Sequence, residues 1–532
     1  MYKRQVIKGD IIDEFPFFSF LLGDLHPHVL AMPFAFLALG LALNLFFGGA
    51  QGKIPRLHIA INPATFLMSA VVLGGLAFLN IWDFPIYAAV IASAYALRKF
   101  YANGSWRIFF KDFIGMGIAL GITSITFYFP FFLSFSSQAG GLLPNLIYIT
   151  RGAYLWLMFA PLLLPVLVFL FLKWRRYGKR DMMIVGIKQT AAFVLGLLIV
   201  SLLLTAVIAF LPVLVKIRPE AEMVASAFLR SMVAPGWGAL LSMSFVRRFT
   251  VPGTLLTLSV LLTLSLSLLH THPETQQSSE HARISISDRF VILLMLIGTI
   301  LVLSPEFVFL RDMFGYRINT IFKFYFQAWH LWSVAAAYAV YWLWGLSRNI
   351  LRNTFRIAIM VVIGLGLIYP IFSIRSKTNN FSPSFWTLDG AYYLSQSTPD
   401  EAQAMTWLQR APLGVVVEAV GGSYSNFARM ATYSGQPTVL GWRFHEVQWR
   451  GGSQEIGSRQ EDIEHLYCTS SWDQAYQILK QYNVRYLVIG NPERAAYVAG
   501  TQLCPNGLTE AKFVRNLDVA FSSGTVTIYL VE

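Results

Sequence analysis

A chain of 532 residues that is 55% hydrophobic and only 13% charged, with a mean hydropathy of +0.55, is not a soluble globular protein. Its formal net charge of +13 is topological. Beyond Ile374, 12 Lys and Arg face 14 Asp and Glu, so the basic excess sits among the apolar runs, and no basic stripe with interleaved aromatics marks a nucleic-acid partner.

The first element is polar. In "DIIDEFPFFSFLLGDLHPHVL", Asp13 and Glu14 are adjacent, and Asp24, His26 and His28 alternate around Pro27 just before an apolar run. Alternation in an extended segment places those three on one side. Carboxylates and imidazoles converging at a membrane surface suit two jobs, deprotonating a hydroxyl or holding a divalent cation such as magnesium or manganese beside a phosphate. The candidate ligands for that cation are Asp13, Asp24, His26 and His28. The plain alternative is a hydrated loop that borders a helix.

Apolar runs of roughly the 17 to 25 residues that cross a bilayer follow near 29–47, 64–79, 84–97, 113–133, 154–172, 190–211, 250–269, 290–309, 328–345 and 356–374. The expectation is therefore an α-helical polytopic membrane protein with about ten spans. Lys and Arg collect in alternate loops, around 53–56, 98–111, 173–180, 283 and 348–356, which assigns those loops to the cytoplasm. Residues 1–28 then form an outer loop, 29–374 a multi-span domain, and 375–532 an extracytoplasmic domain. Residues 1–9 hold neither a signal peptide nor a span, so a truncated N-terminus with at least one preceding helix is expected.

Two polar motifs lie among the spans. In "NIWDFPIY", Trp82 and Tyr87 read as interface anchors, while Asp83 either caps the helix that Pro85 starts or has a further role. In "PEFVFLRDMFGYRINTIFKFYFQAWH", cations defy the inside preference. Arg311 reads as pairing with Asp312 or Glu306, whereas Arg317 and Lys323, with Asn319, either neutralise a phosphate or pair internally.

The tail changes character. "STPDEAQAMTWLQR" and "SWDQAYQILKQYNV" begin with capping boxes, at Thr398 with Glu401 and at Ser471 with Gln474, and strand-like runs lie at 414–420, 438–442, 485–490 and the closing "TVTIYLVE". A small α/β domain follows. Cys468 and Cys504 are either a disulfide or two reduced thiols. "EAVGGSYSN" lacks the spacing of a nucleotide loop. In "GQPTVLGWRFHEVQWRGG", Trp442, His445, Glu446 and Trp449 suit the apolar faces and hydroxyl rim of a pyranose, or else pack as an ordinary loop.

With "GDLHPHVLAMPF", "NIWDFPIY", "RINTIFKFYFQAW" and "GQPTVLGW…HE…QWRG", the chain resembles the "YYY" family of uncharacterised bacterial and archaeal integral membrane proteins. That family is similar in layout to the C superfamily (GT-C) of membrane glycosyltransferases, which use polyprenyl-phosphate sugars. The acidic pair Asp13 and Glu14 and the turn His26, Pro27, His28 match the motifs of those enzymes. The resemblance implies an inverting transferase at the outer face of a cytoplasmic membrane, with one of the two acids as base, the histidines near the donor phosphate, and a glycan or protein hydroxyl as acceptor. A lipid or polysaccharide translocase and a non-catalytic glycan-binding scaffold are the alternatives.

Overall fold

The computed structural model describes residues 3–4, 10–11, 14–23, 25–55, 59–135, 140–214, 218–270, 284–312, 315–346, 349–382, 385–450 and 452–531. Asp13 and Asp24 lie outside the described residues. The chain divides into two compact units, residues 1–135 with 139–382, and residues 136–138 with 383–532.

The first unit opens with β1 (Lys3–Arg4) and β2 (Asp10–Ile11), which pair antiparallel, and the short α1 (Pro16–Leu22). The long helices follow: α2 (Pro27–Phe47), α3 (Pro63–Leu79), α4 (Asp83–Asn103) and α5 (Trp106–Phe127). After α6 (Phe129–Ser134) and β3 (Leu142–Pro144) come α7 (Gly152–Tyr177), α8 (Arg180–Leu214), α9 (Arg218–Ser231), α10 (Trp237–Thr250), α11 (Gly253–Leu269) and α12 (Ile286–Leu303). Strand β4 (Val308–Leu310) pairs antiparallel with β3, and α13 (Ile318–Trp344) and α14 (Asn349–Lys377) complete the unit.

Local chemistry fixes the ends. Pro27 at the first position of α2 has its φ preset and no orphan N–H to satisfy, and Gly48 closes the same helix at a φ of 90° that favours glycine. Asn62 caps α3 by accepting from Ala64 N at 2.8 Å. Ser285 and Asp288 form a reciprocal capping box on α12.

Among the described residues, α2, α5, α7, α8, α12 and α14 are long and apolar enough to cross a membrane, six in all; the bent pair α10 and α11 makes seven if it is one span. The count of ten is not reached. Helix α3 is short, and although α4 and α13 are 21 and 27 residues long, Asp83, Arg98 and Lys99 in one and Lys323, Gln327 and His330 in the other dilute their apolar character. Packing is that of a membrane bundle. Ala31, Ala35, Ala38 and Ala42 of α2 are fully buried at helical spacing, which lets α4 approach closely, while α5, α8 and α14 turn Ile118, Leu203 and Leu365 outward. Deep in the unit Lys173 of α7 meets Asp288 of α12 at 2.6 Å, and Tyr338 of α13 donates to the same carboxylate at 3.0 Å.

The second unit holds a four-stranded sheet in the order β5 (Val415–Val417), β6 (Val484–Ile489), β8 (Val526–Leu530), β7 (Asp518–Ser523). Strands β5 and β6 are parallel and the rest antiparallel. Gly524, at a φ of 49°, turns β7 into β8. The helices are α15 (Tyr392–Ser397), α16 (Pro399–Arg410), α17 (Arg429–Ser434), α18 (Arg443–Trp449), α19 (Arg459–Cys468), α20 (Trp472–Gln481), α21 (Asn491–Ala496) and α22 (Ala511–Asn516).

Three expectations need correction. Thr398 makes no cap, because its hydroxyl donates to Leu394 O and Glu401 instead reaches Arg429 at 2.9 Å. Ser471 does cap α20, but Gln474 spends its side chain on Thr469 and the box is half-made. Residues 438–442 contribute only an isolated bridge from Thr438 to Val416, and β7 was not foreseen. Cys468 and Cys504 are joined in a disulfide.

Candidate functional site

Three helices meet where their first turns carry polar residues. His26 precedes Pro27 as the N-cap of α2, and His28 in its first turn is buried with its ring edge-on to Phe322 and Phe326 of α13, at 4.8 and 4.4 Å between centroids. The rings of His26 and His28 lie 5.0 Å apart. Glu14 faces His28, with Oε2 3.2 Å from Nε2, and accepts from Ser19 Oγ at 2.9 Å. Burial pushes the Glu14 carboxyl up, but the hydrogen bonds of His28 and Ser19 and the nearby imidazoles outweigh it and hold the group below its ordinary range.

Asp83 belongs to the same cluster. It does not cap α4, whose N-cap is Trp82; it is 1% exposed, and its Oδ1 accepts from Asn80 Nδ2 at 2.8 Å and from Gln327 Nε2 at 2.7 Å. The amide of Gln327 is thereby oriented, because its Oε1 accepts from Tyr87 at 2.6 Å. His330 Nδ1 lies 3.2 Å from the same tyrosine oxygen. Lys323 is buried one turn before Gln327, within electrostatic reach of Glu14, Asp83 and His28. Asp83 Oδ2, His28 Nδ1 and His330 Nε2 are buried without a hydrogen-bond partner among the described residues. Two carboxylates, one ammonium and two imidazoles therefore gather near the starts of α2, α4 and α13, where the helix dipoles add positive potential, and His330 extends the cluster further along α13.

Glu14, His26, His28, Asp83 and Lys323 are thus brought together. No group of three or more His, Cys, Asp or Glu able to hold a metal ion occurs among the described residues, and Asp13 and Asp24 lie outside them. Tyr87, which reads as a belt anchor in the sequence, is fully buried and joined to the cluster instead. Sequence reasoning also passed over Gln327, His330, Asn80 and Ser19. One signal was present: Lys323, Gln327 and His330 recur at i, i+4 and i+7, as do Asp83 and Tyr87 at i and i+4, which puts each set on one helix face.

Arg317 is placed elsewhere. It is 0% exposed, and its Nη1 donates to Glu306 Oε1 at 2.7 Å while Nη2 donates to Thr150 Oγ1 at 3.1 Å. Glu306 also accepts from Thr150 N and Oγ1, so Glu306 pairs with Arg317 and not with Arg311. This ion pair ties the start of α7 to the start of α13. Asn319 is half-buried in the first turn of α13. Replacing Arg317 with Ala is expected to destabilise the first unit by about 3–5 kcal/mol, since Glu306 would keep a buried, uncompensated charge. A thermal melt of the protein in detergent checks this, and Glu306→Gln combined with Arg317→Met should recover most of the loss.

In the second unit, Trp442 is half-buried, with Nε1 donating to Phe427 O at 2.9 Å, and His445 Nδ1 lies 2.8 Å from Ser423 Oγ. Tyr424 is 78% exposed and stands against both, 5.7 Å from the Trp442 ring and 4.8 Å from that of His445. Glu446 accepts from Gly441 N and meets Arg450 at 3.3 Å, and Trp449 is 63% exposed. Tyr424 also adopts a positive φ of 58°, in the left-handed region that non-glycine residues seldom occupy. No sequence signal had singled out Tyr424.

The family model for "Uncharacterized membrane protein (DUF2298)" matches residues 2–332. That match spans more than half of the chain, and the protein belongs to this family. No curated protein matches the chain.

Proposed function

We propose that this family member is a membrane glycosyltransferase that moves a sugar, with inversion, from a polyprenyl-phosphate donor to an acceptor hydroxyl, and that α3, α4, α11 and α13 also cross the bilayer, giving ten spans in total. The observation that carries the reading is Glu14, held by His28 and Ser19 within reach of Lys323. A fixed carboxylate beside a buried ammonium at converging helix starts supplies the two functions that this transfer needs, a base and a countercharge for the leaving phosphate.

In the reaction the acceptor oxygen attacks the anomeric carbon from the side opposite the phosphate. Glu14 takes the hydroxyl proton, the bond from the anomeric carbon to the phosphate oxygen breaks, and polyprenyl phosphate leaves with the electron pair. Lys323 and the starts of α2, α4 and α13 stabilise the charge that develops there. Asp83, oriented by Asn80 and Gln327, offers Oδ2 to a substrate hydroxyl. The disulfide of the second unit supports an extracytoplasmic location for it, and its Tyr424, Trp442 and His445 suit the binding of a glycan.

A translocase is the second reading, favoured by the polar line from Asp83 through Gln327 and Tyr87 to His330, which runs more than three turns into α13. Incubation in lipid nanodiscs with radiolabelled polyprenyl-phosphate hexoses and a glycan acceptor separates them. Release of polyprenyl phosphate is expected, and Lys323→Met should lower the rate by about 10²–10³. A protein that moves the donor across the bilayer intact, or consumes none, overturns the transferase.

A further inference from the structure

Helix α10 is 14 residues long, about 21 Å, and too short to cross a bilayer. After Val251 and Pro252 it gives way to α11, at an angle of 67°. The start of α11 is fixed in depth. Gly253 lies against Gly152 so closely that a Cβ on Gly152 would come within 2.8 Å of the Gly253 backbone, and Thr254 Oγ1 donates to Thr150 O at 2.7 Å. The junction is therefore level with the start of α7, and so with the Glu306–Arg317 pair that Thr150 bridges.

The distribution of side chains on α10 is the reverse of that on a water-facing helix. Its exposed face carries Leu241, Phe245, Val246 and Phe249, the two phenylalanines 65% and 70% exposed. Its two cations turn inward: Arg248 Nη2 donates to Asn145 O at 3.0 Å and to Glu306 O at 3.1 Å, and Arg247 Nη1 to Ile147 O at 3.2 Å. Leu240 and Ser244 are buried beneath them, Leu240 packed with Phe228 of α9 and Phe309 of β4. A surface helix that faces water places charge outside and apolar groups inside. Here cations are spent on internal carbonyls while four large apolar groups stand outside. The adjoining surface indicates what covers them: α8, whose Ile208 packs on the same cluster as Leu240, turns Leu203, Val207 and Phe210 outward, and α9, which packs on α8, exposes Met223 and Val224. The apolar face of α10 continues that belt.

We propose that α10 lies flat in the bilayer interface, with Leu241, Phe245, Val246 and Phe249 in the boundary between headgroups and acyl chains, and that its arginines hold the Glu306–Arg317 junction at that depth. The occupant of this face is lipid. Each turn of the exposed stripe offers one or two large apolar groups, and α11 carries the chain from it into the bundle. Glu306 and Arg317 sit at the start of α13, so seating α10 in lipid also sets the level of Lys323, two turns further on. The inference goes beyond the transferase reading and does not depend on it.

Both cysteines are in the disulfide, so a single introduced cysteine is the only free thiol. Leu241→Cys, Phe245→Cys and Phe249→Cys are spin-labelled in the full chain, reconstituted in phosphatidylcholine vesicles, beside Ile199→Cys on the exposed face of α8 and Gln454→Cys on the exposed surface of the second unit. Power saturation with oxygen and with a water-soluble nickel chelate reads depth. The expected result is that all three α10 labels respond more to oxygen than to nickel, as Ile199 does, but from a shallower depth. Labels that respond to nickel as Gln454 does put α10 in water, and labels that neither reagent reaches put it under protein. Either result overturns the proposal.

Discussion

Glu14→Gln is expected to abolish sugar transfer, lowering the rate by about 10²–10⁴ while leaving the bundle folded. Glutamine keeps the shape and can still accept from Ser19 and approach His28, so the change removes the proton acceptor and little else. Glu14→Asp shortens the reach by one methylene and should retain part of the rate, whereas Ser19→Ala should cost less than either. The acid limb of the rate profile gives an independent readout. His28 and Ser19 hold the Glu14 carboxyl below the ordinary glutamate value of 4.5, against the upward push of burial. Only the ionised form is a base, so activity should persist as pH falls to 4.5 and fail below it. The sign for stability is the same: a depressed carboxylate stabilises the fold above its unfolded value and loses that contribution as pH falls through the folded one. His28→Ala should move the acid limb upward. A Glu14→Gln protein that turns over donor at the original rate would remove Glu14 from the mechanism.

What the sequence disclosed follows from the kind of interaction that fixes each element. Each of the ten apolar runs is largely helical, because burial from water is written in residue type, although 113–133 crosses from α5 into α6 and 290–309 runs past α12 into β4. Which of them are long and apolar enough to cross was less legible: α4 and α13 carry the polar residues of the candidate site and so lose the composition by which a span is recognised. Function and span recognition compete for the same positions. At the site, proximity in sequence was enough for Glu14, His26 and His28, and the exception to the positive-inside rule singled out Lys323. It was not enough for Arg317, since nothing in the order of residues says that Glu306 and Thr150, the latter more than 160 positions away, will enclose it. Tyr87 and Gln327 are 240 residues apart and became partners only when α4 met α13. In the second unit, Thr398 and Glu401 have the spacing of a capping box, and a buried arginine on another helix outbids the cap for Glu401.

That arginine carries the other large expected effect. Arg429 is enclosed by three carboxylates, Glu401 at 2.9 Å, Glu418 at 3.2 Å and Glu493 at 3.0 Å. Backbone N–H groups complete the shell: Glu418 accepts from Met430 and Ala431, and Glu493 from Ala419 and Gly490. The cluster links β5, the start of α17, the end of β6 and α16, so it fastens the second unit across its sheet. Arg429→Met is expected to cost about 3–5 kcal/mol, because Glu418 and Glu493 remain buried with no cation. Even with Arg429 present, burial raises the Glu418 carboxyl to about 7, an effect that Arg429 and the two N–H groups oppose. The folded value lies above the ordinary 4.5, so the fold favours the protonated acid, and stability falls as pH rises from 4.5 through 7. In Arg429→Met the opposition is gone and that fall should steepen. Hydrogen exchange of the β6 amides in the intact protein, at pH 5.5 and at pH 7.5 after correction for intrinsic rates, measures both effects, since these amides report the opening of the sheet. Faster exchange in the variant, with the larger excess at pH 7.5, is the expected result. An excess that is equal at the two pH values would mean that the carboxylates are not the source of the instability, and that Arg429 acts through packing alone.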